Sequence, residues 1–159
     1  MTTRANHFQT VPALINTLVE ASQASHKSSL EGAIKNLVDI RASQLNGCAF
    51  CLDMHMKQGK LRGERELRLY HVAIWRESPL FSAKEKAALA LTEALTHIGP
   101  EGVTDEVYRH VREHFSEVEI SELTFAIATI NAWNRLQILA QMTPGSQDAA
   151  YGLDRAGLQ

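Results

Sequence analysis

The sequence predicts an all-α fold, a single-domain helical bundle of six to seven helices over residues 1–145 with a tail over 146–159. Three observations predict it. Apolar residues recur at helical spacing along most of the chain, three Ser-x-x-Glu pairs precede such runs as capping boxes, and no alternating strand pattern of useful length occurs. A chain of 159 residues is one domain in size and long enough to bury a core.

In order along the chain, Pro12 suits a first helical turn, so the first helix covers Pro12 to about Ser25 with Leu14, Ile15, Leu18 and Val19 on its apolar face. Ser28 with Glu31 reads as a capping box, and Leu30, Ala33, Ile34, Leu37, Ile40 and Leu45 continue at helical spacing to Asn46-Gly47. A helix starting at Gly47 or Cys48 runs to about Lys57 or Gln58, with Gly59 and Gly63 marking the turns beyond it. Leu67, Tyr70, His71 and Ile74 form the next stripe, which closes before Ser78-Pro79. Ser82 with Glu85 opens a helix to about Ile98; its five successive apolar residues, Ala87 to Leu91, predict a central position and a partly buried Glu93. Thr104 caps a shorter helix with Val107, Val111 and Phe115 inward, and Ser116 with Glu119 opens the last long one, which Pro144-Gly145 ends. The tail is polar and small, with isolated Tyr151, Leu153 and Leu158, and is expected to be loosely ordered or docked on a neighbouring subunit.

Charge and composition narrow the partners. The formal net charge is −2 with acids and bases nearly balanced, which leaves no basic stripe for nucleic acid and no polybasic segment for a membrane surface. The N-terminus lacks the apolar core of a signal peptide and no run approaches a spanning length, so a soluble, cytoplasmic protein is expected. In a reducing compartment two cysteines at close spacing read as a cycling pair better than as a staple.

Both cysteines fall in Asn46-Gly47-Cys48-Ala49-Phe50-Cys51-Leu52-Asp53-Met54-His55. On a helix, Cys48, Cys51 and His55 stand at i, i+3 and i+7 on one face. A thiol with a pKa of about 8.5 is little ionised at neutral pH, and the thiolate is the nucleophile. A helix end supplies only about 0.3–1 kcal/mol, so the imidazole four residues on makes Cys51 the better nucleophile and Cys48 the better resolving thiol. The spacing also fits half a zinc site, with His71 or a partner chain completing Cys48, Cys51 and His55, or a buried pair with no chemistry.

The run from Ile40 to His55 resembles the signature of the carboxymuconolactone decarboxylase superfamily in its alkylhydroperoxidase D-like branch. The likeness continues through Ala73 to Pro79, Phe81 to Thr96 and Ile130 to Leu136, covering about residues 30–140. The resemblance implies a thiol-dependent peroxidase in antioxidant defence, free of metal and cofactor. Cys51 would attack an organic hydroperoxide and pass through a sulfenic acid, Cys48 would donate a proton and resolve it, and an external dithiol would reduce the pair. It also implies a homo-oligomer, trimer or hexamer. Members of the branch carry a relay glutamate twelve residues before the first cysteine; here that position is Asn36, which cannot shuttle a proton. A zinc-binding member, a decarboxylase or an inactive member of the superfamily is the alternative.

Glu93 is the candidate substitute in the proton relay, because burial would raise its pKa toward that of a general base; the competing reading is an ion pair with Arg76 or Arg135. His110 and His114 stand at a metal-binding i, i+4 spacing without an obvious third ligand and read as ordinary helix histidines. His71 reads as a satisfied core or interface histidine, and Asn131, Trp133, Asn134 and Arg135 as an interhelix hydrogen-bond and packing cluster, with lining of the substrate pocket as the alternative.

Overall fold

The structure is a computed structural model and describes residues 4–158. Nine α-helices and two 3₁₀ turns, with no strand among the described residues, form it: α1 (His7–Thr10), α2 (Pro12–His26), α3 (Gly32–Asn46), α4 (Ala49–Leu61), α5 (Glu66–His71), α6 (Ala83–Thr96), α7 (Asp105–Arg112), α8 (Glu117–Ala140) and α9 (Asp148–Tyr151). Leaving out the four-residue helices α1 and α9 gives seven, the upper figure expected from periodicity.

Helix α3 is the centre of the bundle, packing on α4, α6 and α8. Its Ile34, Leu37, Val38 and Ile40 are all within 1% of full burial. Ile34 and Val38 join Ala87, Ala88 and Leu91 of α6 and Leu123, Ile127 and Ile130 of α8 in one core cluster; Leu37 and Ile40 join Leu69, Val72, Trp75, Phe81 and Leu89 in another. Helix α6 therefore feeds both clusters, which is why its apolar run has no polar gap.

Two of the three expected capping boxes form, at Ser82 with Glu85 and at Ser116 with Glu119. The third does not. Helix α3 begins after Glu31 with no side-chain cap, because both groups have other partners or none: Glu31 pairs with Lys84, and Ser28 Oγ is left without a hydrogen bond. Ser29 instead binds the Glu122 carboxylate of α8.

The stripe Leu67, Tyr70, His71, Ile74 is corrected more sharply. Leu67, Tyr70 and Ile74 are exposed, and the buried residues are Leu69, Val72 and Trp75. The chain tightens into a 3₁₀ turn over Val72–Ile74, and at three residues per turn positions i and i+3 eclipse, so the inward face follows a period of three. Gly59 also departs from expectation, since α4 continues through it to Leu61. The tail folds back on α4 of its own chain: Leu153 and Ala156 are buried, and Asp148 reaches the Lys57 ammonium at 2.6 Å, opposite Asp53 at 2.9 Å. No helix of the described residues is long and apolar enough to cross a membrane.

Candidate active site

The α3–α4 corner fixes the cysteine pair. Gly47 takes φ 69° as the C-cap of α3, a left-handed conformation that glycine adopts without a Cβ penalty. Cys48 follows as N-cap of α4, its Sγ accepting from the Cys51 amide at 3.3 Å. Cys48 is thus outside the helix and Cys51 in its first turn. Their Cα atoms are 5.4 Å apart and the sulfurs are joined as a disulfide.

A polar lattice from α8 clamps this corner. Asn46 Nδ2 donates to Asn131 Oδ1 and Asn134 Oδ1, Asn134 Nδ2 donates to Ser43 Oγ, and Asn131 Nδ2 donates to Thr96 Oγ1. Asn131 and Asn134 are buried, and buried amides so satisfied hold one geometry. Arg135 donates to the Asn131 carbonyl and Trp133 Nε1 to Ser22 Oγ, so the cluster is the interhelix network its composition predicts.

A cavity of about 960 Å³ opens beside the disulfide, walled by α1, α2, α3, α4 and α8. Cys51 lines it and Cys48 does not, although both are buried. His55, one turn after Cys51, is on the same wall. Its Nδ1 lies 2.9 Å from Gln58 Oε1 and 3.6 Å from Asp39 Oδ2.

Asp39 is the acid at this wall, and sequence reasoning passed over it. Burial pushes its carboxyl above the ordinary range, with His55, His26, Arg62 and Lys35 pulling it back. The signal was available, since Asp39 follows Asn36 by three residues on the same face of α3; a lone aspartate in a helix reads as solvated. Asn36 itself is buried and donates from Nδ2 to the His55 carbonyl at 3.0 Å, bracing α3 against α4. Lys35 and His26 complete this end: the Lys35 ammonium donates to the carbonyls of Ser25 and His26, and burial lowers the pKa of both groups.

Glu93 is placed elsewhere. It does not line the cavity; Arg41 and Arg76 each reach it at 2.6 Å and Trp75 Nε1 at 2.7 Å. Burial pushes its carboxyl up, but the hydrogen bonds from Arg76, Trp75 and Arg41 outweigh this and hold it below the ordinary range. The rise expected of a relay base is reversed because three donors converge on one carboxylate. Its cationic partners are Arg41 and Arg76, not Arg135.

His71, weighed as a fourth zinc ligand, has Nδ1 3.0 Å from Ser78 Oγ and does not line the cavity beside Cys51. His110 and His114 do have a third potential ligand in their segment, Glu113, with ligand atoms within 4.8 Å of one another.

An all-helical bundle with a Cys-x-x-Cys pair at the corner of two central helices and a histidine one turn on defines the class of protein. The chain belongs to the carboxymuconolactone decarboxylase family, whose model matches residues 10–94. It is 38% identical to the uncharacterized protein YdfG of Bacillus subtilis over 87% of this chain and 94% of that one. It is also similar to a crystal structure from Agrobacterium tumefaciens, of a protein of unknown function provisionally ascribed to antioxidant defence as AhpD: 35% identity, TM-score 0.87, covering 90% of this chain and 98% of that one. The debrominase Bmp8, solved with 2,3,4-tribromopyrrole, shares the fold at 17% identity and TM-score 0.78, over 92% of this chain and 78% of its own.

Proposed function

We propose that the protein is a thiol-dependent peroxidase of the alkylhydroperoxidase D kind, reducing organic hydroperoxides in antioxidant defence. The observation that carries this reading is that Cys51 lines the cavity while Cys48 lies behind it. An oxidant in the cavity meets one sulfur first, and the other is positioned to resolve.

The chemistry balances without a metal. The Cys51 thiolate attacks the distal oxygen of the hydroperoxide, the O–O bond breaks, and the alcohol leaves with a proton, giving the sulfenic acid. The Cys48 sulfur then attacks Cys51 Sγ, water departs, and the disulfide forms. An external dithiol carrier returns two electrons and two protons, and a pair that must be reduced in every cycle belongs in the cytoplasm. His55 is held through Nδ1 by Gln58 beside Asp39, which leaves Nε2 to exchange a proton with Cys51 or the leaving oxygen. Asn36 has a bracing role, and Asp39 is the acid that faces the imidazole in its place.

The test compares the two single-cysteine proteins. On addition of cumene hydroperoxide, Cys48→Ser is expected to form a dimedone-trappable sulfenic acid at Cys51, and Cys51→Ser none at Cys48. His55→Ala is expected to slow oxidation roughly ten- to a hundredfold, with most of the rate recovered at higher pH as the thiol ionises without it. Dimedone on Cys48 of the Cys51→Ser protein, with none on Cys51 of the other, reverses the assignment. Wild-type protein that consumes no hydroperoxide refutes the activity.

A further inference from the structure

Helix α7 ends in the run Arg109-His110-Val111-Arg112-Glu113-His114, outside the wall of the cavity beside Cys51. Val111 and Phe115 are buried in the core cluster shared with α6 and α8. The Glu113 amide donates to the Arg109 carbonyl at 3.2 Å, and the amides of His114 and Phe115 donate to the Val111 carbonyl at 3.1 and 3.0 Å. The backbone that carries His110, Glu113 and His114 is therefore fixed from both sides, while the side chains of His110 and Glu113 stay 45% and 68% exposed.

Among the described residues, these three form the group of His, Cys, Asp or Glu side chains whose donor atoms gather closely enough for one metal ion, all within 4.8 Å of one another. His110 Nδ1 is 3.4 Å from Glu113 Oε2. The two imidazoles stand edge to face, with ring centroids 5.3 Å apart and planes at 88°. Around a zinc ion, bonds of about 2.0–2.2 Å in a tetrahedron put neighbouring donor atoms about 3.3 Å apart. The His110–Glu113 pair already has that spacing, and His114 needs only a turn of its side-chain torsions to reach it.

The surrounding charges favour a cation. His110 lies in the last turn of α7 and Glu113 is its C-cap, at the negative end of the helix dipole, and the Glu113 carboxylate adds a full negative charge. The two arginines of this run are directed elsewhere. Arg109 Nε turns back to donate to the Asp105 carbonyl at 3.3 Å, and Arg112 falls about 150° around the helix from the middle of the group. Two imidazole nitrogens and one carboxylate oxygen suit zinc, nickel or copper, whereas magnesium and calcium take oxygen sets.

We infer that His110, Glu113 and His114 form a binding site for a divalent transition-metal ion of the zinc class, with the fourth tetrahedral position left to water. The ion ties the last turn of α7 to the segment that enters α8. Neither the place nor the chemistry of this site depends on the peroxidase reading.

The test titrates Zn²⁺ into tag-free, full-length protein in its disulfide form, so that neither thiol competes for metal, and records the heat. One equivalent is expected to bind more tightly than any other, and excess Mg²⁺ is expected not to displace it. His110→Ala and His114→Ala are each expected to lower the affinity at least about tenfold, the loss that even an outer-shell partner ordinarily brings, and Glu113→Ala roughly three- to tenfold. In the wild-type protein, the imidazole resonances of His110 and His114 are expected to shift together with the first equivalent, a readout that does not depend on any variant folding. No zinc binding, an affinity unchanged in both histidine variants, or first-equivalent shifts at other histidines overturns the site. Loss in the two histidine variants with none in Glu113→Ala overturns the part given to the carboxylate.

Discussion

Asp39 shows how one side chain is held off its solution behaviour by position. It faces His55 from α3, and the charges of His55, His26 of α2 and Arg62 beyond α4 favour its ionised form, yet desolvation outweighs them and raises its pKa. Folding then favours the protonated acid. The native state binds more protons than the unfolded chain, so stability declines as pH rises from the ordinary aspartate value of about 3.9 through the raised one. Asp39→Asn does not titrate and escapes this decline. The melting temperature of the variant is expected to exceed that of the wild type at neutral pH, with the gap shrinking as the pH is lowered through the carboxylate range. Calorimetry of both proteins at a series of pH values checks it; a gap that widens toward acid would contradict the raised pKa.

At the scale of elements, the α3–α4 pair is closed by a glycine inside a helix. A Cβ on Gly59 would stand 2.4 Å from Asn36 Oδ1 and 2.9 Å from Leu69 Cδ2. Asn36 cannot easily swing away, because its amide donates to the His55 carbonyl. Alanine in place of a helical glycine gains about 1 kcal/mol in propensity, but overpacking of this kind costs about 1–3 kcal/mol, so the clash wins. Gly59→Ala is expected to lower the urea midpoint. Asn36→Ala removes the closest atom, and the double variant should lose less than the sum of the two single changes. Additive losses would show that Asn36 is not what excludes the side chain.

Across the whole molecule, apolar surface remains beyond what one chain covers. Phe125 and Val118 of α8 are 71% and 64% exposed, and Ile74, Leu67 and Tyr70 around α5 are each more than half exposed. Scattered apolar residues are ordinary on a monomer, but rows on two separate elements fit faces shared with other copies. We expect a homo-oligomer, a trimer or hexamer of the 17.7 kDa chain. Light scattering at micromolar concentration checks this, and a stable monomer would refute it. Phe125→Glu is expected to reduce the mass if α8 supplies the face.

Local rules read along the chain determined the helical class, the capping boxes at Ser82 and Ser116 and the corner at Gly47, because each depends on residues within a turn or two of one another; the family was legible from a resemblance spread over about residues 30–140. The cysteine pair was legible for the same reason: three residues and one glycine place both sulfurs. What surrounds the pair was not. Asp39 became the acid at His55 only when α3 and α4 packed side by side, and Glu93 was drawn into an ion pair by Arg41 and Arg76. Phe8 came to line the cavity with residues of α8 more than a hundred positions on, such as Trp133, and the buried face at Trp75 followed a 3₁₀ turn that helical periodicity does not encode. Burial, carboxylate pKa values and the identity of neighbours are properties of juxtaposed elements, and no window of sequence contains both sides of such a contact.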